Sequence, residues 1–348
     1  MSGLSPWGAS AEEVVEEMKK IKEAVLKELK IPTMDKKLII EASTPGHYPR
    51  SLWEHFGIKD MPPWSLKEQA EAIIGCVKAG AAAVHTHPRN PDTSYCYEFP
   101  MGQVQRADLL AKILDIAYEE VDFVPLGHAW LPKNWDPLGE ADFITHTKEL
   151  LELGKGNKYI QGNVVPTWIY PWTRKGLLST FFSAQALREG IAFLEENCVK
   201  PLIAMHIDHL LWFKISVYDY GVFKTKPHIN IQEGKHGVNR SFLDPYSYIN
   251  LINSIELVRR VFPEATIGLH CGGRNWLPMT VLAIMLGVDL VRVGIEDMFW
   301  IYPHKDEFIK RPSEAVERVV QIAKLLGREI ATPADARRIL GIKVTYEK

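Results

Sequence analysis

The chain has 348 residues, 46% of them hydrophobic and 24% charged, and its 41 basic against 43 acidic side chains leave a formal charge of −2. With a mean hydropathy of −0.10, this is the balance of a globular protein; it excludes disorder, fibrous repeats and, since there are no basic runs, a nucleic-acid partner. No window approaches the roughly 18 uninterrupted apolar residues of a membrane span, and Cys76, Cys96, Cys198 and Cys271 lie too far apart for a disulfide framework or a CxxC metal site. Reduced thiols and the lack of an apolar signal core place the chain in the cytoplasm as an expectation. Its ten tryptophans are residues of cores, pockets or oligomer interfaces.

Residues 10–30 read as a helix. Ser10 and Glu13 match a capping box, and Val14, Met18, Ile21, Val25 and Leu29 recur at helical spacing. Residues 1–36 are therefore expected to form an N-terminal helical extension, its amphipathic helix docked on the main body. From residue 37 onward, short β-rich runs alternate with longer amphipathic stretches. Strands are expected over 37–43, 82–87, 121–126, 159–165, 202–207, 228–232, 266–270 and 290–295. Helices are expected over 65–78, 104–118, 142–153, 183–196, 244–261, 277–286 and 313–326, with a short one at the end. Eight strands alternating with helices, and no linker-like break, predict an α/β fold: a TIM (β/α)8 barrel over residues 37–348. Residues 155–180 and 208–243 are long, polar and aromatic, and read as active-site or interface loops.

Two constellations carry chemistry. His85 and His87, in the sequence VHTHPR, are two residues apart at the end of the second strand, so both point to one face and can hold one ion. Strand ends of this kind are where barrels keep their active sites. Alone the pattern is weak, since most such pairs are surface or hydrogen-bonded histidines. The second is LVRVGIED, residues 290–297, where Arg292, Gly294 and Glu296 share one face of an apolar strand and Asp297 follows. Buried charges need partners or a metal; an internal ion pair of Arg292 with Glu41 is one reading and a functional site the other. Together His85, His87 and Glu296 offer two imidazoles and a carboxylate. Three protein ligands leave open positions, as catalytic zinc requires, and the same set suits ferrous iron.

The chain resembles the β-keto acid cleavage enzymes. The resemblance rests on His85 to Arg89 (HTHPR), on VRVGIED from Val291 to Asp297, on HCGGRNWLPM from His270 to Met279, and on the tail GREIATP from Gly327 to Pro333, in the family's order over residues 37–342. It implies a TIM barrel on which a β-keto acid and acetyl-CoA give acetoacetate and a new acyl-CoA, with Zn2+ bound by His85, His87 and Glu296. Arg292 and Asp297 match the family's catalytic pair, and a homo-oligomer, tetrameric in the family, is implied as well. The residue types suit the chemistry. A metal ion orients a chelating β-keto acid and polarises its ketone. Asp297, poised by Arg292, takes the proton between the two carbonyls. The glycines Gly272 and Gly273 let backbone approach a bulky ligand such as the CoA arm, or simply form a βα turn.

This chain departs from the family after the first strand. Relatives that take an amino substrate carry a glutamate there, whereas this chain reads TPGHYPR, so His47 and Arg50 are expected to meet a neutral or anionic side group. After the fifth strand, His206 and Asp208 stand where acidic residues are usual; His128 and Asn163, near the third and fourth strand mouths, are further pocket candidates. Two rival readings remain at this stage: a metal-dependent hydrolase of the amidohydrolase type, and a non-catalytic ligand-binding barrel with a structural ion.

Overall fold

A computed structural model describes residues 8–28, 30–44, 50–59, 61–89, 107–128, 144–167, 169–170, 179–180, 183–233 and 246–347. Eight parallel strands close into a barrel: β1 (Ile39–Ser43), β2 (Ala83–His85), β3 (Val124–His128), β4 (Gly162–Pro166), β5 (Lys200–Met205), β6 (His228–Glu233), β7 (Thr266–Cys271) and β8 (Leu290–Gly294). The neighbours run in chain order, and β1 pairs β8 to close the ring. The TIM barrel expected from the alternation is therefore present, each strand within a few residues of its expected place.

Helices α3 (Leu66–Ala79), α4 (Ala107–Tyr118), α5 (Ile144–Gly154), α6 (Ala184–Glu196), α8 (Tyr246–Val261), α9 (Trp276–Met285) and α10 (Ser313–Leu325) surround the strands. Their starts are chemically marked. Ser65 and Glu68 form a reciprocal capping box on α3, and Ser183 caps α6. Outward residues such as Ile40, Ala42, Val84, Ile203, Ile229 and Val291 pack against the helices in one large core. Two short helices were not legible: α2 (Arg50–His55) and α7 (Leu210–Ser216), too brief to show a helical period and anchored by single aromatic side chains, Trp53 and Phe213. A two-residue hairpin pairs Ile169–Tyr170 with Ser179–Thr180.

The inner face alternates with the outer one. Ile39, Ala83, Val124, Leu126, Val164, Leu202, Ala204 and Leu290 fill the barrel, joined by Ala336 and Leu340 of α11 (Pro333–Leu340). Helix α11 thus closes the end away from the site. Its Arg337 donates to both carboxylate oxygens of Asp122 at 2.7 and 2.8 Å and to Oε1 of Gln161 at 2.8 Å. Above this apolar floor the inward positions turn polar: Glu41, His85, His228, Asn230, Gln232, His270 and Arg292 are all buried.

Helix α1 (Ala11–Leu26) has the expected capping box, Ser10 to Glu13 at 2.8 and 3.2 Å. It corrects the expectation of docking, however. None of its residues is buried, and Val15, Met18, Ile21 and Val25 are more than half exposed. Amphipathic spacing fixes which side of a helix is apolar, not what covers it. Among the described cysteines, Cys76, Cys198 and Cys271 are free thiols; Cys96 lies outside the described residues. Among the described residues, no helix is long and apolar enough to cross a membrane.

One interior residue makes the fold acid-sensitive. His228 is fully buried, its Nδ1 2.9 Å from Thr266 Oγ1, and burial together with nearby Lys200 pushes its pKa down to about 3. Below its ordinary pKa of about 6.5 the unfolded chain takes up a proton that the folded chain refuses. Its contribution to stability therefore falls as pH drops from about 6.5 towards 3, with a slope approaching about 1.4 kcal/mol per pH unit. Urea midpoints measured across that window should fall, and His228→Gln should flatten the slope; an unchanged slope would dismiss this residue as the cause.

Candidate metal and catalytic centre

The C-terminal ends of β1, β2, β7 and β8 converge on one buried cluster. Register explains how. Glu41 of β1 pairs with Arg292 of β8, Arg292 with His270 of β7, and His270 with Gln232 of β6, so four polar residues occupy one inward tier. One tier higher, Ser43 pairs with both His85 and Gly294. At Gly294 the backbone φ is +149°, and a Cβ would lie 2.3 Å from the Ser43 carbonyl oxygen. Glycine there lets the strand ends close and turns the chain so that Glu296 and Asp297 face inward.

His85 ends β2 and His87 follows it by two residues; both are buried, with their Nε2 atoms 3.2 Å apart. Glu296 Oε2 lies 3.2 Å from His85 Nε2, and Oε1 lies 3.5 Å from His87 Nε2. Ligand atoms of all three lie within 4.8 Å of one another. Burial, reinforced by the positive charge of Arg292, holds the His85 pKa well below its usual value, so the imidazole is neutral and has a lone pair to give.

Arg292 is fully buried and binds three carboxylates. Nη2 is 2.8 Å from Glu296 Oε1, Nε is 2.9 Å from Asp297 Oδ2, and Nη1 is 3.5 Å from Glu41 Oε1. The ion pair with Glu41 anticipated from the sequence is thus the longest of the three. Burial opposes the guanidinium's charge, but Asp297, Glu296 and Glu41 outweigh it and raise its pKa above the ordinary value. Asp297 also accepts from Ser43 Oγ at 3.0 Å on Oδ2, and its Oδ1 lies 2.9 Å from His270 Nε2.

These distances test whether the donors fit a metal ion. Two imidazole nitrogens and a carboxylate converge within chelating reach and leave coordination positions open, as zinc or ferrous iron requires. With the charged groups ionised, three buried carboxylates stand against one guanidinium among the described residues of the cluster. The surplus is two negative charges, the amount a divalent cation neutralises, and burying it without compensation is costly. Donor set and charge therefore both fit.

The other expected site residues are more dispersed. His206 is half-buried just past β5, its pKa depressed to about 4 by burial and then by His209, while Asp208 is exposed in the short turn Ile207–His209. Arg50 opens α2 with its guanidinium 5.7 Å from the centre of the Trp64 ring, to which buried Arg89 also comes within 5.5 Å. Asn163 faces the helix layer. It donates to Thr147 Oγ1 of α5 at 2.9 Å, because it occupies the outward parity of β4 beside inward Val164; this removes it from the pocket candidates. His128 ends β3, but its side chain lies outside the described residues, as does the whole of His47.

Gly272 and Gly273 have a packing reason. A Cβ on Gly272 would sit 2.5 Å from the carbonyl oxygen of Asp297, and that oxygen accepts from the Gly273 N–H at 2.9 Å. The glycines thus bring the end of β7 against the backbone of Asp297. Sequence reasoning missed Ser43, Gln232 and His270 as members of the centre. The signal was present for His270, which opens the glycine-rich stretch and shares the inward parity of Gly268, but only the register of β7 against β8 and the turn after Gly294 set its ring beside the carboxylate of Asp297.

A family model described as beta-keto acid cleavage enzyme matches residues 176–342. A 3-keto-5-aminohexanoate cleavage enzyme from Fusobacterium nucleatum is 52% identical over 293 residues, covering 81% of this chain and 91% of the relative. A 3-dehydrocarnitine:acetyl-CoA trimethylamine transferase from Rhizobium meliloti is 25% identical over 80% of this chain and 89% of its own length. Among solved structures, the apo form of ObcA superposes with a TM-score of 0.59 at 15% identity, covering 81% of this chain and 66% of that one, a likeness of fold. On the extent and identity of the Fusobacterium match, the chain belongs to the β-keto acid cleavage enzyme family.

Proposed function

We propose that this enzyme exchanges acyl groups between a β-keto acid and acetyl-CoA, giving acetoacetate and a new acyl-CoA, with zinc held by His85, His87 and Glu296. The observation that carries the reading is that a buried chelating triad stands beside a carboxylate, Asp297, clamped by Arg292. The Rhizobium relative's name, an acetyl-CoA transferase, supports the second substrate. When bound, the ion supplies Lewis acidity to the ketone and fixes the acid's orientation.

The remaining work belongs to the chain's own residues. Asp297 takes a proton from the carbon between the carbonyls. Arg292 keeps that carboxylate in place and holds its charge without competing for the proton. The resulting carbanion attacks the acetyl thioester carbonyl and breaks its C–S bond, expelling CoA thiolate; that thiolate attacks the original ketone, and the old carbon–carbon bond breaks to leave the new acyl-CoA and the carbanion of acetoacetate. Asp297 returns the proton to the leaving carbon. We assign Arg50 and His206, with exposed Asp208, to the substrate's side group, since the first loop has no carboxylate to greet an ammonium.

The test is direct. The purified, metal-analysed protein is incubated with acetyl-CoA and a panel of neutral, anionic and amino-bearing β-keto acids, and new acyl-CoA species are sought by mass. Formation of acetoacetate together with a matching acyl-CoA is the expected result. A panel yielding no acyl-CoA, or hydrolysis without thioester formation, would overturn it in favour of a hydrolase.

A further inference from the structure

We propose that His270, itself oriented by Gln232, is a positioning residue that fixes the carboxylate of Asp297; its part in turnover rests on the acyl-exchange reading above. The imidazole lies between two partners. Its Nδ1 is 2.9 Å from the amide nitrogen of Gln232, and its Nε2 is 2.9 Å from Asp297 Oδ1. An amide nitrogen only donates, so Nδ1 must accept, and the single ring proton sits on Nε2, where it is donated to the carboxylate. Gln232 thereby dictates the tautomer of His270.

The consequence is a carboxylate held from three strands. Oδ1 takes the His270 Nε2–H from β7 at 2.9 Å and a longer bond, 3.4 Å, from Arg292 Nη2, while Oδ2 takes the Arg292 Nε–H from β8 and the Ser43 hydroxyl from β1. His270 and Gln232 are buried and face each other across the β6–β7 ladder, so neither ring nor amide is free to swing. Of the donors on Asp297, the Ser43 hydroxyl is the one that can turn its hydrogen away without moving a heavy atom. The clamp therefore fixes Oδ1 and leaves the Oδ2 edge as the side from which Asp297 can act.

A neutral imidazole also suits the surrounding charge. A lysine or a second arginine at this position would cancel part of the acidic surplus that favours a divalent cation beside Arg292. A ring kept neutral by its amide partner orients Asp297 without doing so. Small misplacements of a reacting group are costly in rate, and partners standing one step behind a reacting group contribute about 10- to 100-fold.

Two measurements test the role. In protein labelled with 15N-histidine, NMR should show His270 protonated on Nε2 and bare on Nδ1, assigned by loss of its signals in His270→Gln. In Gln232→Glu, whose side chain accepts where the amide donated, both nitrogens should be protonated. Kinetically, His270→Leu should lower kcat about 10- to 100-fold, with KM changed less than about twofold and metal content unchanged. His270→Gln, whose amide nitrogen reaches the Nε2 position, should recover most of kcat. A wild-type ring protonated on Nδ1 would overturn the proposal, and so would Leu and Gln variants with equal kcat. If the wild type exchanges no acyl group at all, the reaction reading fails and the NMR result alone decides the clamp.

Discussion

Alanine at His85 or His87 should strip the protein of its divalent ion, from stoichiometric to trace after dialysis, and take acyl exchange to background. The reason is the small donor set. Among the described residues three ligand atoms converge, and removing one imidazole leaves two, of which the carboxylate is already bound to Arg292 at 2.8 Å. The loss should exceed the roughly 10- to 100-fold that follows removal of a partner behind a ligand. A metal-ligating histidine is neutral, so the substitution removes no charge of its own, but loss of the ion leaves two surplus buried negative charges uncompensated; stability should fall, and circular dichroism would verify that the barrel still folds. Elemental analysis decides the matter: a variant that keeps one ion per chain ends the ligand assignment.

Asp297→Asn separates chemistry from metal binding. Asparagine keeps the shape and takes no proton at the carbon between the carbonyls, so kcat should fall by about 10²- to 10⁴-fold, the range of a positioned general base, while metal content stays intact. Stability should fall as well. The new amide must turn its NH2 towards either Arg292, which donates to Asp297, or His270, whose Nε2–H faces it in the tautomer proposed above, and a buried donor facing a donor costs about 1–3 kcal/mol. Metal content, a urea midpoint and steady-state kinetics on one preparation distinguish the effects. Undiminished turnover would exclude Asp297 as the base.

Much of the centre was legible from strand parity. His85 and His87 at one spacing, and Arg292, Gly294 and Glu296 at the same spacing, each declare a shared face, because successive strand residues alternate; that Glu296 turns inward depends on the turn after Gly294, past the end of β8. Parity fails where the strand's phase is uncertain. Asn163 was placed at a strand mouth, but the observed β4 begins at Gly162 and sends Val164 inward and Asn163 to Thr147. Helix α1 shows another limit. Its cap and stripe were readable, but whether the barrel covers the stripe is a matter of shape, and none of its residues is buried.

His270 marks the boundary most clearly. Its strand, its inward parity and its glycine-rich continuation are all local, yet nothing local says that its ring nitrogen meets a carboxylate 27 residues later. The sequence by itself determined the eight-strand alternation, the capped helices, the chelating pair and the charged strand, since each depends on propensity and period within one segment. The register of the closed barrel decided the rest. It brings Glu41, Arg292, His270 and Gln232 into one tier and buries more acidic than basic charge beside His85 and His87. Net charge near zero over the whole chain hides such a surplus, because composition sums over residues and electrostatic energy depends on the distances between them.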